Sequence, residues 1–385
     1  MRSFTIQHYV LLGLLAWGLP GVFMSGVSAL FITACTALPV WMLTNRSADS
    51  AIGLPRKKVR AVSLYTVLLL TLMYLLFDAL LGRQKFDINM FLTLDATSSF
   101  IDNANDTVSQ GRGVIDLFGA MMVVLPFALI DAARLARGAI RIAMWCTAIV
   151  YIFYDTGISR GYLLMAVLSI FLGNNLKAKN LLWSVGLALP VFFAASAARG
   201  DFDELAFSNP LFDGIIWPYI NLRLFLESNC GNADWIDFIT EFAKKFFPAF
   251  LVPKEVFSFN IEMTRCIYPS FMDTVNSISI FTWLGEMYYY GPNVLTSITS
   301  GFLLALLCRL VDARVSQMQL HSLRVFSGLL CIVLLRSRVQ DVLSYLLLLF
   351  IFLIIWQVLA KYRDLYTRGY ICRQGSSNLM RINNF

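Results

Sequence analysis

The sequence predicts an all-α fold, a polytopic membrane bundle of about ten helices with one long outer loop. Two observations predict it. The 385 residues are 58% hydrophobic and only 14% charged, with a mean hydropathy of +0.67, and a water-soluble domain, at roughly 25% charged, has no core large enough to hide so much apolar surface. Apolar stretches near the length needed to cross about 30 Å of hydrocarbon recur along the chain, and Lys and Arg cluster in alternate connections between them.

The spans read in order are Ile6 to Met24, Val27 to Leu43, Ala61 to Leu81, Val114 to Ile130, Ile140 to Tyr154, Ser159 to Gly173, Leu181 to Ala198, Asn293 to Leu310, Leu320 to Leu335 and Val342 to Ala360. Residues 1–385 thus form a single membrane domain, with a loop subregion over 199–290 and a tail over 361–385. Basic residues near helix ends stay on the cytoplasmic side. Arg56, Lys57, Lys58 and Arg60 follow the second span, Arg134, Arg137 and Arg141 the fourth, Lys177 and Lys179 the sixth, and Arg309 and Arg314 the eighth. The tail carries Lys361, Arg363, Arg368, Arg373 and Arg381. Every even-numbered span therefore exits on the basic side, which places both termini in the cytoplasm. The net charge of +7 is a topology signal of these connections and not a nucleic-acid footprint. No small-residue cleavage site separates the first span from the second, so the first is expected to be retained.

The outer loops differ in character. Gly82 to Arg112 carries Asp87, Asp95, Asp102 and Asp106 among Thr, Ser and Asn and reads as solvated. The loop from Arg199 to Tyr290 is too long for a connector and too aromatic for a flexible linker. In it, Trp235, Ile239, Phe242 and Phe246 recur at helical spacing beside Asp237, Glu241, Lys244 and Lys245, an amphipathic helix ended by Pro248 and expected along the membrane surface. Ile215 to Leu226, with Trp217, Tyr219 and Arg223, reads as a second helix, packed on the bundle or walling a sugar groove. Of seven cysteines, Cys35, Cys146, Cys308 and Cys331 fall in spans and Cys372 in the tail, as small apolar fillers. Cys230 and Cys266 lie in the long loop, where an oxidising compartment would let them pair and constrain it by roughly 3 kcal/mol.

Candidate chemistry gathers at the outer face. The sixth span covers only about 22 Å, so its outer end, Asp155-Thr156-Gly157-Ile158-Ser159-Arg160-Gly161, is recessed and holds Arg160 near a helix N-terminus. The ninth span offers about 17 Å of uninterrupted apolar helix before Arg336-Ser337-Arg338, and Arg199 ends the seventh at the same level. Permanently charged planar guanidiniums converging at one face suit a diphosphate, whereas any one alone would suit a headgroup or, for Arg160, the neighbouring Asp155. Ser277 to Gly291 is apolar and aromatic around one carboxylate, Glu286. Burial there would favour its neutral form and suit a general base; a structural ion pair with one of the arginines is the alternative. The histidines, His8 and His321, both fall on the cytoplasmic side, leaving none outside for catalysis or zinc. Asp201-Phe202-Asp203 is a D-x-D best read as solvated, and no phosphate-binding loop, dinucleotide fingerprint or internal repeat is present.

Ser159-Arg160-Gly161 opening a span, Leu284-Gly285-Glu286-Met287-Tyr288 with Tyr290-Gly291 leading into a helix, and Leu335-Arg336 before the last helix together resemble the Wzy-type O-antigen and oligosaccharide repeat-unit polymerases. The resemblance runs from about Asp155 to Ala360; where the family often has Asn-Phe-Gly, this chain has Tyr289-Tyr290-Gly291. It implies a GT-C-like glycosyltransferase of the bacterial inner membrane, acting at the periplasmic face without metal or other cofactor. The growing polysaccharide would pass from undecaprenyl diphosphate to the non-reducing end of another undecaprenyl-diphosphate-linked repeat unit. It further implies membrane lipid as surroundings, a chain-length regulator and a flippase of the same pathway as partners, and no nucleic acid. On this reading Arg160, Arg199, Arg336, Arg338 and Arg265 hold diphosphate, Glu286 is the catalytic carboxylate, and Tyr288, Tyr289 and Arg223 are candidates for the acceptor. The rivals are an O-antigen ligase, which would be expected to use an outer histidine, and a lipid-linked oligosaccharide flippase or other transporter, which would be expected to have short outer loops.

Overall fold

The computed structural model describes residues 5–45, 124–156, 160–172, 216–228, 230, 233–244, 259–269, 282–290, 294–336 and 338–358, together with the single positions 183, 186 and 190. The predicted third span, the outer loop Gly82 to Arg112, Asp201-Phe202-Asp203 and the tail lie outside the described residues, as does nearly all of the seventh span.

Among the described residues the fold is helical, without strands. The elements are α1 (Ile6–Gly18), a 3-10 turn (Leu19–Gly21), α2 (Val22–Ser25), α3 (Val27–Asn45), α4 (Leu125–Leu135), α5 (Gly138–Thr156), α6 (Arg160–Leu172), α7 (Trp217–Glu227), α8 (Trp235–Lys244), α9 (Phe259–Ile267), α10 (Trp283–Tyr289), α11 (Val294–Met318) and α12 (His321–Leu334), followed by α13 (Val339–Val358). Within this set, α3, α11 and α13 are long and apolar enough to cross a membrane. These segments match the periodicity of the sequence, with three corrections. The first predicted span is broken: Pro20 cannot donate to a helical ladder, and the chain tightens into the 3-10 turn before α2. The fourth and eighth spans run past their predicted ends, so Arg134 and Arg314, assigned to connections, lie inside α4 and α11. Charge ended the apolar pattern there, but pairing let the helices continue: Arg134 bonds Asp131, and Arg314 donates to Gln357 of α13.

The bundle is built round α12, which packs against α1, α4, α6 and α11, while α3 packs along α11. Small residues permit the closest crossings, as expected where helices gain little from a hydrophobic drive between them. Gly328 of α12 lies under the ring of Tyr9, and Gly13 of α1 lies over Ile332 and Leu335. Gly301 of α11 meets the backbone of Thr36 and the ring of Pro39 on α3.

Three buried carboxylates each close the N-terminus of a helix other than their own. Asp312 of α11 accepts from Ile6 N at 3.1 Å. Asp131 of α4 accepts from Ser322 N at 2.8 Å and Leu323 N at 3.1 Å. Glu286 of α10 accepts from Val339 N at 2.6 Å and Gln340 N at 3.3 Å. A helix start leaves amide donors without intrahelical acceptors, and a buried start needs an acceptor from elsewhere. Each carboxylate also faces an arginine: Arg324 at 3.6 Å from Asp312, Arg134 at 2.9 Å from Asp131, and Arg338 at 3.1 Å from Glu286.

Candidate functional site

The third of these clusters forms the candidate site. Helix α10 is short, begins at Thr282 in extended backbone, and is buried over most of its length. Its apolar side chains explain that depth: Trp283 and Leu284 are fully covered, and Trp283 N reaches the carbonyl of Leu335 at the end of α12. The segment therefore wedges between the end of α12 and the start of α13, and carries Glu286 to 0% exposure.

There the carboxylate is committed on both oxygens. Oε2 takes the first amides of α13, and Oε1 takes Arg338 Nε. Arg338, its side chain 5% exposed, turns its Nη2 outward to Glu241 Oε1 at 2.7 Å and to Gln340 Oε1 at 2.9 Å. Glu241 belongs to α8, and its other oxygen accepts from the Tyr290 hydroxyl. Gln340 Nε2 donates to the Phe238 carbonyl at 3.0 Å, and Ala233 N to that of Tyr289 at 2.9 Å. Burial works against the charge of Arg338, but Glu286, Glu241 and Asp341 outweigh it and hold the guanidinium above its ordinary pKa.

The sequence offered two readings of Glu286, a base or the partner of an arginine, and the structure seats Arg338 on it. Arg336 stands half-buried in the turn that closes α12, two residues before Arg338. Arg160 opens α6, with its side chain outside the described residues, and Arg199 lies outside them altogether. Arg265 is exposed in the last turn of α9. Arg223 is also exposed and is held by Glu227 at 2.8 Å, a bond that raises its pKa. Among the acceptor candidates, the Tyr288 hydroxyl is 2.6 Å from Ser28 Oγ, and Tyr289 sits edge-on to Tyr290. Cys230 and Cys266 form a disulfide between the residues after α7 and the last turn of α9, with Cα atoms 6.0 Å apart.

Sequence reasoning gave no role to Glu241, Gln340, Asp131, Asp312 or Arg324. Glu241 stood in the polar stripe of an amphipathic helix, where a carboxylate normally faces water; only the docking of α8 turns it inward. Among the described residues no group of three or more His, Cys, Asp or Glu side chains is placed to hold a metal ion.

No family model, curated protein or solved structure matches this chain. The site is a fixed cation at the start of a membrane-length helix, covered by α8 and already paired with Glu286 and Glu241; it can receive an anionic group only in exchange for one of those carboxylates.

Proposed function

We propose that this chain is a polytopic membrane glycosyltransferase that polymerises lipid-linked oligosaccharide repeat units. In this reading about ten helices span the bacterial inner membrane, both termini are cytoplasmic, and α7 to α10 lie at the periplasmic face. The observation that supports it is the buried Glu286–Arg338 pair at the start of α13, roofed by α8 of the long loop. A guanidinium kept charged away from bulk water is the group that stabilises charge developing on a diphosphate as the sugar–phosphate bond breaks. Arg338 and Arg336 supply that charge, with Arg160, Arg199 and Arg265 as further contributors. Glu286 acts through Arg338: its oxygens already accept three donors, so its part is to fix the guanidinium and the helix start behind it. Tyr288, Tyr289 and Arg223 remain the acceptor-side candidates.

The test is reconstitution. Protein in lipid with its undecaprenyl-diphosphate-linked repeat unit should give a ladder of polymer lengths, and Arg338→Gln and Arg336→Gln should leave single repeats. Transfer only to a lipid A core acceptor would make the chain a ligase; a change of substrate sidedness without new bonds would make it a transporter.

A further inference from the structure

As it stands, the candidate site is closed to an anion. The carboxylates of Glu241, Glu286 and Asp341 act on Arg338 together, and among the described residues of this turn and its neighbours they outnumber the guanidiniums of Arg336 and Arg338. A phosphate-bearing group approaching this cluster meets excess negative charge at short range and weak screening. For Arg338 to receive it, a carboxylate must leave.

The three are not equally free to go. Glu286 is fully buried and holds the start of α13 through two backbone amides. Its departure would strand those donors. Asp341 is fixed in the first turn of α13 and is half-buried. Glu241 is different: its side chain is 20% exposed, it comes from a helix of the outer loop, and it contacts the outward Nη2 of the guanidinium. Glu241 can leave without lifting α8. That helix stays attached through the Phe238 carbonyl on Gln340, through Ala233 N on the Tyr289 carbonyl, and through the edge-to-face contact of Phe238 with Tyr290 at 5.3 Å. Rotation of one flexible side chain into water would expose the fork while Glu286 keeps Nε fixed behind it.

We propose that Glu241 is a gating residue: it occupies the outward face of Arg338 in the resting protein and gives way to a phosphate-bearing anion. That the anion is a lipid-linked diphosphate rests on the functional reading above; the exchange itself rests on the charge and geometry of the cluster. Glu241 thereby sets specificity. A neutral or singly charged headgroup competes poorly with a resident carboxylate, whereas a diphosphate brings enough charge and enough acceptor oxygens to displace it.

The experiment measures binding to the full chain in phosphatidylcholine nanodiscs, with inorganic pyrophosphate and farnesyl diphosphate as separate probes. Glu241→Gln should tighten binding about tenfold or more, because it removes the competing charge. Glu241→Asp should bring affinity back toward wild type. Tyr290→Phe, which loosens the hold on Glu241 without touching its charge, should tighten binding by a smaller factor. Each gain should vanish when Arg338→Gln is added. A response to both probes means that the diphosphate alone suffices; a response to farnesyl diphosphate alone assigns the site to lipid-linked anions. Arg338-dependent binding that is equal in wild type and Glu241→Gln would overturn the gate and leave the functional reading standing. If folded wild type and variants bind neither probe, both fall.

Discussion

The buried carboxylates Asp131, Glu286 and Asp312 are each answered twice, once by a helix start and once by an arginine. Asp131 illustrates the consequence. Its oxygens hold the first amides of α12, and Arg134, anchored in turn on the carbonyl of Ile170 at 2.7 Å, balances its charge. Asp131→Ala should therefore destabilise the protein by about 3–5 kcal/mol, since it strands both the amides and a largely buried guanidinium. Asp131→Asn keeps an acceptor for the amides and should lose clearly less. Thermal unfolding of the two variants in detergent separates them, and equal losses would remove the capping role. The same reasoning at Glu286 predicts that Glu286→Ala costs stability as well as activity. Loss of activity at an unchanged unfolding midpoint would instead favour the general-base reading. These residues were visible in the sequence as isolated charges, but their partners lie far along the chain. Asp131 to Ser322 and Glu241 to Arg338 are pairings that no local spacing encodes.

At the scale of elements, α8 shows what periodicity can and cannot say. The sequence placed Trp235, Ile239 and Phe242 on one apolar stripe. In the fold the helix has three faces: Phe238 and Glu241 turn to the bundle, Asp237 and Thr240 are exposed, and Trp235, Ile236 and Ile239 are exposed although apolar. Such a division suits a helix lying in the corner between a protein wall, water and lipid, with tryptophan at the boundary. In nanodiscs containing brominated phospholipid, wild-type fluorescence should be quenched by a component that Trp235→Phe removes; an unquenched Trp235 would place this face elsewhere. The disulfide closes the same layer. Breaking it with Cys230→Ser should cost roughly 3 kcal/mol of loop order, read as faster amide exchange in α7 and α9, with α11 and α13 unaffected. Within the bundle, Gly328→Ala tests the α1–α12 crossing. The added methyl has no room beneath Tyr9, and a loss of about 1–3 kcal/mol is expected.

For the whole molecule, composition pointed to a membrane protein, because a chain this apolar and this poor in charge has few ways to satisfy its surface other than in lipid, and three helices among the described residues are long and apolar enough to cross one. Alternation of basic connections gave an orientation, which cysteine labelling from each side can test: positions beside Lys57 and Arg363 should react from one side and positions beside Arg223 from the other. Reaction of all three from a single side would overturn the topology. Helix existence and approximate ends were likewise legible, since the apolar runs that became α3, α5, α6, α11, α12 and α13 are properties of contiguous residues. So was the character of the Glu286 segment, an apolar stretch with a single carboxylate, which the fold buries against Arg338. What the sequence by itself could not determine was which charges meet. It read Arg314 as a loop residue, treated the first span as unbroken and gave Glu241 no role. Tertiary structure decided those points, because the energy of a buried charge depends on distance and desolvation, and both are set only when helices remote in sequence are packed side by side.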